Sequence, residues 1–223
     1  MQDFSDSKPK GAQRPRLLVL TSTYPRWAGD PEPGFVHELS RRLTEKFQVT
    51  VLCPHACGAL PTEQLDGVKV IRYRYAPERW ERLVNNGGIV TNLKRHPWMF
   101  FLLPGFILGQ LLWLYKLGHR RNTDVIHAHW LIPQGFLVAF LMALGRKMAP
   151  FVVTSHGADL FALRGKLLTK IKQFTLARSA AATVVSNAMK TMITAMGIPQ
   201  EKIAVESDRK STRLNSSHVK LSR

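Results

Sequence analysis

The sequence predicts an α/β protein with a Rossmann-like, doubly wound and mostly parallel sheet. The main observation is an alternation along the chain, in which short runs rich in β-branched residues are followed by segments of helical periodicity. A second observation is the first such run, residues 16–22, which is continuously apolar like a strand buried on both faces. The chain has 223 residues, 45% of them hydrophobic, and is long enough to bury a core of this kind.

The first half of the chain contributes three strands and one helix. Residues 16–22 form the first strand, and a loop rich in proline and glycine follows over residues 24–34. A helix begins at Phe35, because one apolar stripe recurs at helical spacing: Phe35, Val36, Leu39, Leu43 and Phe47. Residues 48–53 and 68–73 are the second and third strands.

The second half repeats the strand and helix pair three times. The predicted pairs are strand 124–129 with helix 134–145, strand 151–155 with helix 167–178, and strand 182–186 with helix 187–196, before a last strand at 202–206. Right-handed crossovers between parallel strands give an open sheet. Its ligand site is expected at the carboxyl ends of the strands.

One segment, residues 98–115, interrupts this pattern because it is apolar throughout except for Gln110. Eighteen residues are at the lower limit for crossing a membrane core of ~30 Å, and Pro104 and Gly105 interrupt the middle of the run. We expect an amphipathic or hairpin element at a membrane interface, with basic flanks for anionic headgroups. A core helix of the sheet and a true membrane span are the alternatives.

The composition narrows the classes of partner and compartment. Lys and Arg number 32 against 15 Asp and Glu, which gives a net charge of +17 and favours an anionic partner: nucleic acid, a phosphorylated substrate or an acidic membrane surface. Two cysteines, Cys53 and Cys57, are too few for a disulfide framework. The first eleven residues are polar and do not resemble a signal peptide, so secretion is not expected.

We expect three regions: a flexible N-terminus at 1–15, one domain at 16–206, and a disordered tail at 207–223. The tail has no hydrophobic periodicity, and residues 208–218 match the translation of a common sequencing adapter over eleven consecutive positions. We therefore interpret the tail as an artefact of sequence assembly; the alternative is a natural basic tail that binds nucleic acid. Five basic residues and one acid give it a charge of +4, which leaves +13 for the rest.

The loop after the first strand lacks the glycine fingerprint of dinucleotide-binding proteins, which disfavours a nicotinamide or flavin enzyme. Gly34 nevertheless stands just before the first predicted helix, where free N–H groups are able to meet a phosphate. A plain loop without ligand is the alternative. Neither a nucleophile elbow nor a Walker lysine loop is present, which removes the hydrolase and triphosphatase classes.

Histidines lie in one of the predicted strands and directly after the next. Strand alternation places His127 and His129 on one face, with Ile126 and Ala128 on the other. A metal site is one interpretation, but no cysteine or carboxylate has ligand spacing to this pair, so hydrogen-bonded histidines are expected and no metal is predicted. His156 ends the next strand at its carboxyl edge.

Two residues next to His156 are further candidates for a ligand site at the carboxyl edge of the sheet. Gly157 allows a ligand to approach the backbone closely, and Asp159 follows two residues later.

Four segments in this order resemble the N-terminal half of the family 4 glycosyltransferases. They are residues 18–25, 124–130, 152–159 and 180–187, which read LVLTSTYP, DVIHAHW, VVTSHGAD and AAATVVSN. The similarity runs from about residue 16 to 206. It implies the GT-B fold, in which two Rossmann-like domains face each other, and a second, nucleotide-binding domain that this chain lacks. The first loop differs from the family's commoner paired glycines.

The resemblance implies transfer of a sugar from a nucleotide-sugar donor, usually with retention of configuration and without a cofactor. By motif, His156 is the catalytic candidate that meets the donor sugar, and Gly34 and Gly157 are donor-binding candidates. His127, His129 and Asp159 are candidates for acceptor binding or for holding the cleft walls. The truncated chain itself is expected to be inactive.

Three functional hypotheses remain. The first is the acceptor-side half of a glycosyltransferase that acts on a lipid-linked or glycan acceptor, cytoplasmic and peripheral at the inner face of the cell membrane. The second is a noncatalytic basic Rossmann-like module that binds nucleic acid or membrane. No aromatic single-strand platform or helix-turn-helix supports nucleic acid, which we do not expect as a partner. The third is a membrane-anchored adaptor.

Overall fold

The computed structural model describes residues 13–30, 34–85 and 87–206. Within them, eight strands form one sheet in the order β3-β4-β2-β1-β5-β6-β7-β8. The strands are β1 (Arg16–Leu20), β2 (Gln48–Pro54), β3 (Thr62–Leu65), β4 (Val68–Tyr73), β5 (Val125–His129), β6 (Phe151–Ser155), β7 (Ala181–Val184) and β8 (Ile203–Val205). Every neighbouring pair is parallel except β3 with β4. The predicted α/β class with a mostly parallel, Rossmann-like sheet is confirmed.

Seven α-helices accompany the sheet in the described residues. They are α1 (Phe35–Leu43), α2 (Gly88–Arg95), α3 (Leu103–Leu117), α4 (Phe136–Ala143), α5 (Ala158–Phe161), α6 (Lys166–Arg178) and α7 (Asn187–Ala195). Short 3-10 helices lie at Glu78–Trp80, Pro97–Leu102 and Gln200–Lys202, and a π-turn at Leu131–Gly135. Of the predicted terminal regions, residues 13–15 are described without regular structure, and residues 1–12 and 207–223 lie outside the described residues.

After Arg16, the strand β1 is apolar from Leu17 to Leu20, because it packs on both faces. Leu18 and Leu20 are buried in the larger core cluster, and Leu17 and Val19 in a smaller one on the opposite face. Burying one such side chain contributes ~1.5–3 kcal/mol. The continuous apolar run therefore comes from the central position of β1, between β2 and β5.

The first helix differs from the predicted stripe. It ends at Leu43, and of the predicted stripe only Val36 is fully buried. Phe35 leaves 45% of its surface exposed at the start of the helix. Phe35 therefore lies at the carboxyl edge of the sheet and is not part of the hydrophobic core.

The apolar segment is one continuous helical stretch and not a hairpin. The 3-10 helix Pro97–Leu102 runs directly into α3, and Pro104 lies in the first turn of α3, where a missing N–H costs no helical hydrogen bond. Gly105 has a packing role, because a Cβ atom there would lie 2.3 Å from the backbone oxygen of Tyr75. Of the two forms expected for this segment, amphipathic or hairpin, the hairpin is excluded, since both residues fit inside a helix that packs closely on the sheet.

The two sides of α3 face different surroundings. Phe106, Gln110 and Leu114 recur every four residues and are fully buried. The opposite side of α3 is apolar and exposed. With Phe101 of the preceding 3-10 helix it forms a surface that we call the α3 stripe: Phe101, Leu108, Leu112 and Tyr115. Among the described residues, Pro97–Leu117 is the one helical segment long and apolar enough to cross a membrane, by length and composition alone; 28% of its most apolar window is buried.

Candidate functional site at the carboxyl edge of the sheet

The site lies where the direction of strand addition reverses. From β1 the chain adds β2 and β4 on one side of the sheet, and β5 to β8 on the other. Crossovers therefore diverge between β1 and β5, which leaves a crevice outside their carboxyl ends. Ser22 follows β1 at this edge, and Trp130 follows β5.

The two histidines of β5 share one face of the sheet as predicted. Their rings lie 4.3 Å apart, whereas Ile126 and Ala128 are buried in the core on the other face. Nε2 of His127 lies 2.7 Å from the hydroxyl of Thr154 on β6, which in turn contacts the hydroxyl of Thr183 on β7. This polar ladder fixes the position of His127.

His156 stands immediately after β6 and joins the same cluster. Its Nε2 lies 2.9 Å from Nδ1 of His129, and the two rings are stacked with centroids 5.2 Å apart and an angle of 11° between their planes. Two aromatic rings flank it, Phe35 of α1 at 4.7 Å and Trp130 at 5.1 Å between centroids. The structure thus brings His127, His129 and His156 together from two neighbouring strands.

Burial keeps all three imidazoles neutral near pH 7. Desolvation lowers the pKa of His156 to about 4. Desolvation, followed by repulsion from His156, lowers the pKa of His127 to about 4. The pKa of His129 lies well below its usual value, because of burial first and then repulsion from His127 and His156. Each ring therefore acts as a neutral hydrogen-bonding group.

Trp130 has a backbone conformation that side chains rarely adopt. Its φ is 74° and its ψ 138°, near the region that only glycine usually occupies. Such a conformation costs ~1–3 kcal/mol. The N–H of Trp130 donates to the carbonyl of Thr154 at 2.7 Å, which ties the strained residue to β6. This conformation sets the indole beside His156.

Asp159 is a buried residue that holds the loops around the site. One carboxylate oxygen accepts from the N–H of Leu131 and the other from the hydroxyl of Ser155, both at 2.7 Å. Burial raises its pKa above the usual value, and these hydrogen bonds oppose that shift. Of the two roles considered for Asp159, these contacts favour holding the cleft wall.

The two glycines selected from the sequence sit at helix starts. Gly34 is the residue before α1, with φ −80°, next to Phe35. Gly157 precedes α5 with φ 98°, a left-handed conformation that a side chain would strain. Both positions border the histidine cluster through Phe35 and His156.

An open cleft of about 470 Å³ lies beside the cluster. Phe35 and Trp130 line it on the side of the histidines, and Ser22 and Thr23 line it at the end of β1. The start of α2, Gly87–Thr91, forms part of its wall, and both Gly87 and Gly88 have positive φ. Among the described residues that line the cleft, none is a lysine or arginine. Apart from the buried Asp159, the described lining consists of uncharged residues.

Sequence reasoning found the histidines but missed their neighbours. Phe35 was assigned to a helix stripe, and the wall at Gly87–Thr91 was not considered, although adjacent glycines at 87 and 88 are a signal for an unusual turn. In the part of the chain that the structure describes, no group of three or more His, Cys, Asp or Glu residues is arranged to hold a metal ion.

Comparisons with known proteins agree with this architecture. The family model described as Glycosyltransferase Family 4 matches residues 35–205. No curated protein matches the sequence. Among solved structures, sucrose-phosphate synthase from Thermosynechococcus elongatus is 12% identical, with a TM-score of 0.56 over 87% of this chain and 88% of that one. At this identity the likeness shows the fold alone.

Two further structures match at lower scores. HepE from Anabaena, solved in complex with UDP, is 13% identical with a TM-score of 0.46 over 86% of this chain and 43% of that one. The alpha,alpha-trehalose 6-phosphate synthase from Burkholderia multivorans is 14% identical with a TM-score of 0.45, over 82% and 42%. The chain spans less than half the length of these two proteins.

Proposed function

Since the chain belongs to Glycosyltransferase Family 4, we propose that it forms the acceptor-side half of an enzyme that transfers a sugar from a nucleotide-sugar donor to a lipid-linked or glycan acceptor. In this proposal the cleft beside His156 is one wall of the active site. A second domain, which binds the nucleotide, supplies the opposite wall. The reaction in this proposal is hexosyl transfer with retention of configuration, the type that the family resemblance implies.

The observation that carries the proposal is a neutral His156 at the carboxyl edge of β6. The difficult feature of sugar transfer is charge, which becomes positive at the anomeric carbon while negative charge grows on the leaving diphosphate. A neutral imidazole is able to hydrogen-bond a sugar hydroxyl without adding a charge of its own beside the anomeric carbon. His156 is therefore suited to orient the donor sugar.

The leaving diphosphate needs positive partners. In our proposal, backbone N–H groups near Gly34, at the start of α1, approach the donor phosphates on this side. Because the described lining of the cleft has no lysine or arginine, the remaining compensation comes from the opposite domain. Binding of the donor to this chain alone should consequently be weak.

The same proposal places the protein at an anionic membrane surface. The α3 stripe exposes apolar side chains, with Phe101 88% exposed. Exposed cations flank it in sequence on both sides: Lys94, Arg95, Lys116, Arg120 and Arg121. Apolar side chains at the acyl boundary and cations at the headgroups are the combination by which peripheral helices bind anionic lipid. We accordingly propose a cytoplasmic, peripheral location at the inner face of the cell membrane.

The experiment joins residues 1–206 to a nucleotide-binding second domain of the same family and measures nucleotide release from a panel of nucleotide sugars with a lipid extract as acceptor. We expect release that depends on both donor and acceptor, and that falls on substitution of His156. The matched control is Leu167→Ala, an exposed residue on α6 outside the cleft. A folded fusion that releases no nucleotide with any donor would favour the noncatalytic hypothesis.

A further inference from the structure

The contact between His129 and His156 involves two neutral rings, so only one proton lies between them. Nδ1 of His129 and Nε2 of His156 are 2.9 Å apart, a hydrogen-bond distance. A neutral imidazole carries a single N–H, with one nitrogen a donor and the other an acceptor. Whichever ring donates therefore determines where the proton of the other ring must sit.

The second nitrogen of His129 distinguishes the two arrangements. Nε2 of His129 is buried and has no hydrogen-bond partner in the described part of the chain. If His156 donates, the proton of His129 must sit on this buried Nε2 as an N–H without an acceptor, and buried orphan donors are rarer in proteins than unpaired acceptors. If His129 donates from Nδ1, the buried nitrogen is only a bare acceptor.

We propose that His129 is a positioning residue that donates its Nδ1–H to Nε2 of His156 and thereby fixes His156 as the Nδ1–H tautomer. In the described residues, Nδ1 of His156 has no hydrogen-bond partner, and the ring is partly exposed. His156 then presents an N–H donor to its surroundings. The group that it recognises is an oxygen acceptor, such as a sugar hydroxyl oxygen or a phosphate oxygen.

The neighbours hold the donating ring in place. His127 packs on His129 with 4.3 Å between ring centroids and is itself held by Thr154. On the other side, Phe35 and Trp130 flank His156. These ring contacts orient the two imidazoles, and the hydrogen bond between them sets the tautomer of His156.

The test uses the 223-residue chain itself and needs no activity. Histidine labelled with ¹⁵N in both ring positions is incorporated, and long-range ¹H–¹⁵N spectra near pH 7.5 identify the protonated nitrogen of each ring. Assignment comes from the variants His127→Gln, His129→Leu and His156→Gln. The expected result is a single Nδ1–H tautomer for His129 and for His156 in the wild-type chain.

The variant His129→Leu removes the hydrogen bond that fixes the tautomer of His156. The two ring nitrogens of His156 should then show averaged ¹⁵N chemical shifts, because both tautomers become populated. The control His37→Gln removes a histidine of α1 that pairs with Tyr24 and Asp66, away from the cluster, and should leave His156 unchanged. The signals of buried His55 report whether each variant is folded. A wild-type His156 protonated on Nε2, or one already averaged, would overturn the proposal even if His129→Leu does not fold.

A second experiment rests on the proposed function and measures turnover in the fusion of residues 1–206 with a nucleotide-binding second domain. If His129 acts through His156, the double variant His129→Leu with His156→Ala should lose no more turnover than His156→Ala alone. Additive losses would remove the positioning role. Should His156→Ala leave turnover unchanged, the proposed function fails, whereas the spectra still decide the tautomer.

Discussion

At the residue scale, the proposed role of His156 in sugar transfer and its hydrogen bond to His129 predict two separate effects of its removal. In the enzyme with its second domain, His156→Ala should lower turnover by ~10- to 1,000-fold, which corresponds to about 1.4–4 kcal/mol of positioned hydrogen bonding. The same change leaves Nδ1 of His129 without a partner, so the free energy of unfolding should fall by about 1–3 kcal/mol. Turnover per folded molecule and urea unfolding, measured on one preparation, separate the two effects.

A conservative variant sharpens this prediction. His156→Gln retains an amide that is able to meet His129, so it should recover much of the stability while turnover stays low. A variant that unfolds more easily but turns over normally per folded molecule would show that His156 is a core residue without a part in the reaction.

The low pKa values of the histidines predict a pH dependence of stability. A histidine with a pKa of about 4 when folded and 6.5 when unfolded takes up its proton first in the unfolded state as the pH falls. The stability that each neutral ring contributes is complete above pH 6.5 and is lost between pH 6.5 and 4. Its upper limit is about 3.5 kcal/mol for each ring, at ~1.4 kcal/mol per pKa unit.

The check is chemical unfolding at several pH values. The wild-type chain should lose stability over this range more steeply than the variant His127→Gln, which removes one of the titrating rings. Parallel curves for the two proteins would mean that His127 takes up its proton as readily in the folded state as in the unfolded state.

At the scale of elements, the α3 stripe predicts salt-sensitive binding to anionic vesicles. Leu108→Glu places a carboxylate in the stripe and should abolish most binding to phosphatidylglycerol vesicles at low salt. The matched control is Leu167→Glu, which adds the same charge at a leucine of α6 that is 72% exposed. Vesicle flotation measures both, at ionic strengths of roughly 0.05 and 0.5 M, between which surface attraction is strongly screened.

Two outcomes would contradict the stripe as the contact surface. Equal binding to neutral phosphatidylcholine vesicles at high salt would remove the contribution of the flanking cations. Equal loss of binding in Leu108→Glu and Leu167→Glu would mean that net charge matters and the position of the charge does not.

Most strands were predictable from the sequence because parallel strands at the centre of a sheet are apolar on both faces. Strand β4 was predicted to the residue, and β6 likewise. Strand β3 was missed, since Thr62–Leu65 is short, mostly polar and lies at an edge. Pro104 and Gly105 left a hairpin and a broken helix open, because sequence alone does not show that Pro104 falls in the first turn of a helix.

The candidate site was predictable from the sequence only in part. Strand alternation placed His127 and His129 together, because that depends on local geometry alone. The ring contact of Phe35 with His156 depends on the long-range packing of α1, and that of Trp130 depends on a positive φ. Neither feature can be inferred from the local pattern of apolar residues.

At the scale of the whole molecule, the open cleft predicts that this chain alone transfers sugar at a negligible rate. In the proposed enzyme, a cleft that is open on one side neither excludes water nor holds the donor diphosphate, and exclusion of water strengthens the electrostatic interactions on which transfer depends. Purified chain, incubated with nucleotide sugars and lipid acceptors, should form no product above the level of His156→Ala. Robust transfer by the isolated chain would overturn this prediction.

The strand order also bears on how copies of this molecule associate. An edge strand offers unpaired N–H and C=O groups on which another chain can add a strand, and long, flat edges promote fibrous aggregation. Here the edges of the described sheet are β3 and β8, with only four and three residues. Self-association should therefore proceed through the α3 stripe and yield detergent-reversible oligomers, in preference to ordered fibrils built by strand addition.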